Sequence, residues 1–397
     1  MTLRRPVRDK TTWISYLQAT CFGWFIFGFG GALQFLREDL DLSRTVVSFH
    51  SLAMSVGSVT AGLATGAIIK RTGRGLMLRY ASILLATGIL FFTLGKSLPF
   101  TLIGVAFTTC AGSLIIQGTA SYLAYQQKQA APAAISELHA IASSIGLLAP
   151  VLVGIGVTVG FGWRPGIQVA AVGVIIIEII RGKHTDAYGP KAVADEASDH
   201  HDVPGPFPSL FWWSWLILVF TASMEFSMLL WAPEVLSTQG GLTKGASAAA
   251  LATIVGGMSV GRLVGARLTS KFDSEFLYRG ALILSFFGFL GFWLSNSGLI
   301  MLISLTITGL GMSLHFPFGF ERALRASGGR ADRGGGKLSI GTGFASGVAP
   351  FALGTLADQI GIQGAYVIVP ICLALAITIA MLRPVETSHS RAVEPTS

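Results

Sequence analysis

Glu225 stands in "TASMEFSMLLWAP", an otherwise apolar stretch. A carboxyl group in such surroundings loses hydration, which disfavours its charged form and suits it to taking up and releasing a proton. Glu137 and His139 in "SELHAIASS", and His315 beside Pro317 in "GMSLHFPFGF", have the same capacity. Glu137 and His139 are two residues apart, so on a helix they point in different directions and at most one addresses a given cavity. Each group also has a structural reading. Glu225 can hydrogen-bond to a neighbouring helix, Glu137 and His139 can be solvated residues near a membrane surface, and His315 can be a neutral, satisfied polar group. Metal chemistry is not expected: Cys21, Cys110 and Cys372 are dispersed, and the pair His200 and His201 has no further ligands. Nor is an enzyme or an organic cofactor. There is no H-E-x-x-H and no cysteine cluster. The glycine-rich "GGRADRGGGK" (328–337) reads as a connector, not a phosphate loop.

The elements that hold these groups follow from composition. Of 397 residues, 52% are hydrophobic and only 12% charged, about half the charged share of a soluble domain, roughly 25%. A helix crosses the hydrocarbon core with about 20 apolar residues. Twelve such spans are predicted, at 13–36, 44–69, 75–95, 98–126, 131–160, 163–180, 210–236, 245–269, 277–296, 298–320, 338–357 and 362–382. Runs such as "VVSFHSLAMSVGSVTAGLATGAII" do not alternate as barrel strands do. The expected fold is an all-α membrane protein of twelve transmembrane helices in two six-helix, pseudo-symmetric bundles. Residues 1–181 form the first bundle, 182–208 a cytoplasmic linker and 209–397 the second.

The formal charge of +8 does not point to nucleic acid, because of where the charge lies. With the N-terminus inside, all but five of the 28 basic residues fall on the inner side, the exceptions being Arg37, Arg44, Lys96, Arg164 and Lys244. This is the positive-inside bias. It places the chain in the cytoplasmic membrane with both termini in the cytoplasm, and it makes the bilayer and a small-molecule substrate the expected partners of a monomer. Arg262 is expected to snorkel to the inner surface.

The two halves echo each other. "APVLVG" at 149–154 matches "APFALG" at 349–354, and "SVG" at 55–57 recurs at 259–261, offsets of 200 and 204 that bracket the linker. A parallel repeat of this kind puts a substrate path near the bilayer midplane.

Between the second and third spans lies "GAIIKRTGRG" (66–75). Its glycines permit a sharp reversal and its cations favour the inner side. Gly66, Arg71, Gly73 and Arg74 resemble the Gly-x-x-x-Asp-Arg-x-Gly-Arg signature of the major facilitator superfamily, with Lys70 at the acidic position. The twelve spans, the six-plus-six repeat and "GWR" (162–164) extend the resemblance over the whole chain. It implies secondary transport, with the loop acting as a conformational latch. "GLLAPVLVG", with Gly146, Pro150 and Gly154, is similar to the antiporter motif of the same family, which implies export. Pro350 and Gly354 repeat it in the eleventh span, where helix packing common to both halves is the competing reading. The fourth-span arginine of many proton antiporters is here Leu114, ahead of Gln117 and Gly118.

Gln18, Gln34, Gln117 and Gln168 offer amides to a polar substrate, and Trp24 and Trp231 offer apolar surface. The expectation is a transporter driven by the proton gradient and exporting amphipathic compounds. The alternative is proton-coupled uptake of a sugar or other metabolite. A non-transporting receptor or membrane enzyme ranks third.

Overall fold

The computed structural model describes residues 6–184, 186–189, 203–269 and 271–385, and in these it is helical throughout apart from turns and connectors. The elements are α1 (Lys10–Asp39), α2 (Arg44–Thr72), α3 (Arg74–Leu94), α4 (Leu98–Gln127), α5 (Ala131–Gly146), α6 (Leu148–Thr158), α7 (Arg164–Arg181), α8 (Ser209–Thr238), α9 (Lys244–Ala249), α10 (Leu251–Leu268), α11 (Ser274–Leu294), α12 (Gly298–Met312), α13 (His315–Arg325), α14 (Ala331–Ala365) and α15 (Ile368–Leu382). Among the described residues, ten helical segments are long and apolar enough to cross a bilayer. The other two spans are α7, whose 18 residues include Arg164, Glu178 and Arg181, and the short apolar α15. The chain is a multi-pass integral membrane protein. His200 and His201 lie outside the described residues.

Four spans are built from two helices or a kinked one, α9 and α10 meeting at Ala250 among them, and for the other three the sequence says why. Pro150 has no N–H for the carbonyl of Gly146, so α5 ends there and α6 resumes at Leu148. Pro317 likewise leaves the carbonyl of Ser313 unbonded, and α12 and α13 separate at Ser313–Leu314. In α14 the break falls at Gly361, whose φ of 79° is left-handed. The glycine-rich stretch at 328–337, expected to be a connector, is helical from Ala331 onward. Its first turn packs on aromatics: the Arg333 guanidinium stacks over Phe207, and Gly334 lets the backbone approach Phe211.

The described residues cluster into two units, residues 1–200 with 243–252, and 201–242 with 253–397. In the first, α5, α6 and α7 pack around α1; in the second, α13, α14 and α15 pack around α8. The repeat is exact in register where helices touch. Gly88 lies against Thr108, and Gly288 against Thr308. Gly57 meets the carbonyl of Ala106, and Gly257 that of Thr306. Each pair is offset by 200, so the "SVG" match at 204 is one helical turn out of register.

Candidate functional site

In the second unit, α8 carries Glu225 near its middle, half-buried. Met224, Ser227 and Met228 beside it are buried in the unit. The Glu225 carboxylate accepts no hydrogen bond from the described residues, but its charge interacts with that of Arg262 on α10. The carboxylate is therefore not isolated, and Arg262, expected at the membrane surface, is instead within electrostatic range of the middle of α8. An opposite charge offsets part of the cost of carrying either ion away from water. Farther along α8, Trp231 is buried and donates Nε1–H to the carbonyl of Pro350 at 3.0 Å. This ties α8 to α14, and Gly354 is buried in α14 one turn on. His315 is buried at the start of α13, its Nε2 3.0 Å from Ser285 Oγ and its Nδ1 without a partner among the described residues.

The first unit treats its candidate carboxylate differently. Glu137 receives two hydrogen bonds from Arg8, at 2.6 and 3.2 Å, and a third from Tyr16 Oη at 3.3 Å. The pair is open to solvent at the end of the bundle where α1 begins. His139 is exposed on the same helix.

Of the amides, Gln18 is fully buried. Its Nε2 donates to Leu78 O and Ser82 Oγ, and its Oε1 accepts from Arg181 Nη2 at 2.7 Å. Gln34 donates to the carbonyl of Lys244 at 3.2 Å, and Gln168 to Thr93 Oγ1. Trp24 donates to Gly166 O at 2.7 Å. These four side chains, read from sequence as candidate substrate contacts, each have at least one polar atom engaged within the unit. Gln117 differs: it is half-buried on α4 and forms no hydrogen bond with the described residues.

The "GAIIKRTGRG" turn is built by Gly73, whose φ of 83° and ψ of 160° are closed to side-chain-bearing residues; it caps α2 and opens α3. Arg74 is buried and donates to Tyr188 O at 2.9 Å, while Lys70, Arg71 and Gly66 are exposed. Gly146 faces Phe27 on α1, and Gly154 meets the carbonyl of Gly245 on α9, so both serve close helix approach.

Two charge clusters had no reading in the sequence. In the first unit, Arg181 is buried beside Glu178, with Nη1 2.9 Å from Oε1, and Arg79 approaches the same carboxylate at 3.6 Å. In the second, buried Arg322 pairs with Glu275 and donates to the carbonyl of Arg383, and Arg279 adds a contact to Glu275 at 3.2 Å. The i,i+3 spacing of Glu178 and Arg181 was the available signal for the first. Nothing local links Glu275 to Arg322.

Similarity to known proteins follows this geometry. No curated protein matches by sequence. Among solved structures, a bacterial homolog of the human lysosomal transporter Spinster, inward-facing and occupied, is 14% identical, with a TM-score of 0.76 over 96% of this chain and 97% of that one. The xylose transporter XylE from E. coli is 14% identical, with a TM-score of 0.74 over 95% and 99%. The nucleoside transporter NupG is 10% identical, with a TM-score of 0.70 over 94% and 97%. At such identities these likenesses establish the shared fold. The family model of the Major Facilitator Superfamily matches residues 15–325 and 215–397, and the chain belongs to that superfamily.

Proposed function

We propose that the protein is a proton-coupled secondary transporter of the cytoplasmic membrane, exporting amphipathic small molecules by alternating access, with both termini in the cytoplasm. The observation that carries the coupling is Glu225: a half-buried carboxylate in mid-span, without a hydrogen bond among the described residues and within the field of Arg262. Such a group can bind a proton in one state and yield it in another, and Arg262 sets how readily it does so. Export is supported by Gly146, Pro150 and Gly154, which break α5 from α6 and pack closely on α1 and α9 as in the antiporter motif.

A second reading, proton-coupled uptake of a polar metabolite, is favoured by Gln117, whose amide is open to a ligand. Solved structures similar in fold include a fucose:proton symporter and a proton:xylose symporter. Proteoliposomes with an imposed pH gradient and a panel of lipophilic cations and sugars separate the two. Wild type is expected to move protons with a lipophilic cation, and Glu225→Gln to abolish that flux while folding normally. Proton flux driven by a sugar and weakened by Gln117→Ala selects uptake. Undiminished flux in Glu225→Gln removes Glu225 from coupling.

A further inference from the structure

A second candidate site lies in the first unit, away from Glu225, and stands independently of the transport reading. A cavity of about 170 Å³ is lined by Lys10, Thr11, Ile14, Arg181, His184, Ala187 and Tyr188. It opens where α1 begins, α7 ends and the linker starts. Its volume is several times the roughly 30 Å³ share of one water, so it admits a small polyatomic group.

Its chemistry is cationic. Lys10 and His184 are exposed at the rim, and Arg181, only 1% exposed, forms the floor. Arg181 is not saturated by the protein. Nη2 donates to Gln18 Oε1, Nη1 approaches Glu178 without hydrogen-bond geometry, and Nε has no partner among the described residues. Glu178 is shared with Arg79, so it does not fully neutralise Arg181. Tyr188 Oη is also buried near Ser15 and Arg181, with no well-aligned hydrogen bond among the described residues, and burial keeps its phenol protonated, hence a donor. The first turn of α1 adds the positive end of a 30-residue helix. Asp9 caps it through the N–H of Thr12, and Lys10 and Thr11 of that turn line the cavity. Buried donors without acceptors are costly, and an anion supplies acceptors to several at once.

We propose that this cavity binds a phosphate group, carried either by free inorganic phosphate or by the headgroup of an anionic phospholipid. The ligand accepts from Arg181 and Tyr188 at the floor and from Lys10 and His184 at the rim. Because it joins α1, α7 and the linker, occupancy stabilises the first unit.

The test uses the full-length protein in a neutral detergent and follows its unfolding midpoint, which a ligand of the native state raises with concentration. Inorganic phosphate is titrated at constant ionic strength. Short-chain phosphatidylglycerol is titrated in parallel, with the phosphatidylcholine of the same chain length as control. Two variants keep the Arg181–Glu178 pair: Tyr188→Phe, and Lys10→Gln combined with His184→Gln. Saturable stabilisation of wild type is expected, with the rim variant binding about tenfold more weakly, as for loss of charge-assisted hydrogen bonds. A response to phosphate alone assigns a free anion, and a response to phosphatidylglycerol alone assigns a lipid headgroup. No saturable response to either, or one undiminished in both variants, overturns the site.

Discussion

The two units place charges at matching points of their repeat and use them differently. Residues 79 and 279 are both arginine, one in α3 and one in α11, and each contacts a glutamate. In the first unit that glutamate is Glu178, from α7, and its main partner Arg181 is on the same helix. In the second it is Glu275, from α11, and its main partner Arg322 comes from α13. Position 122, the equivalent of 322, is a buried tyrosine whose ring packs at a tilt against that of Tyr188. One unit thus draws the main partner of its glutamate from the same helix, while the other draws it from a different one. The carboxylates differ further. Glu137 in the first unit is held by Arg8 and Tyr16 at the bundle end, whereas Glu225 in the second, among the described residues, has the field of Arg262 and no hydrogen bond. Direct hydrogen bonds from a cation favour the charged form of a carboxylate. One facing a more distant charge remains free to change state, which is the physical ground for proposing the second unit as the seat of coupling.

The largest effect is expected from breaking the cross-helix cluster. Arg322→Met leaves Glu275 nearly buried beside Arg279 alone, at a cost of about 3 kcal/mol, the range for a buried ion deprived of its partner. Arg181→Met is expected to cost less. Glu178 is more exposed, at 18% of its side chain against 10% for Glu275, and it retains Arg79. Equilibrium unfolding in mixed micelles compares the two, and equal losses would break the comparison. Pairing Arg322→Met with Glu275→Leu sharpens it. Removing both charges should restore stability to within about 1 kcal/mol of wild type, since an apolar replacement of a buried pair is often neutral.

The repeat itself supplies the next test. A methyl group at residue 57 would press on the carbonyl of Ala106, and one at residue 257 on that of Thr306. Gly57→Ala and Gly257→Ala are each expected to cost about 1–3 kcal/mol, the range for overpacking a tight contact, and to cost similar amounts. A large loss at one and none at the other would show that the 200-residue register does not extend to equal packing.

Much of this fold was legible from hydropathy and charge, because in a bilayer the length of an apolar run and the side that holds its cations are both physical requirements. The spans α7 and α15 were visible as apolar stretches although one carries three charges and the other is short. Breaks at Pro150 and Pro317 follow from a missing N–H. The glycine-rich stretch from Ala331 misled, since its helix depends on Phe207 and Phe211, distant in sequence. Glu225 was visible because one acid in an apolar run needs no partner to be noticed; Arg262, two helices away, could not be paired with it. Gln18 looked like a ligand contact because its partners Ser82 and Arg181 lie 64 and 163 residues away. Local pattern identifies a polar residue in a span, but what satisfies it is a tertiary fact.

The smallest effect is expected at the other end of that contrast. Arg8→Gln removes the bidentate partner of Glu137, yet the pair is open to water, with 56% of the Arg8 side chain and 28% of the Glu137 side chain exposed. Exposed pairs gain little, because solvent screens them and ordering two long side chains opposes the gain. Unfolding of Arg8→Gln should match wild type. The backbone before α1 should also stay in place, since Gln127 still bonds both the N–H and the carbonyl of Val7, at 2.8 and 2.7 Å. The informative readout is proton flux. If Glu137 matters only as a clamped anion at the bundle end, releasing it leaves substrate-driven flux and its pH profile unchanged. A shifted pH profile in Arg8→Gln, with Glu225 intact, would mean that the first unit also handles protons, and coupling could no longer be assigned to the second unit alone.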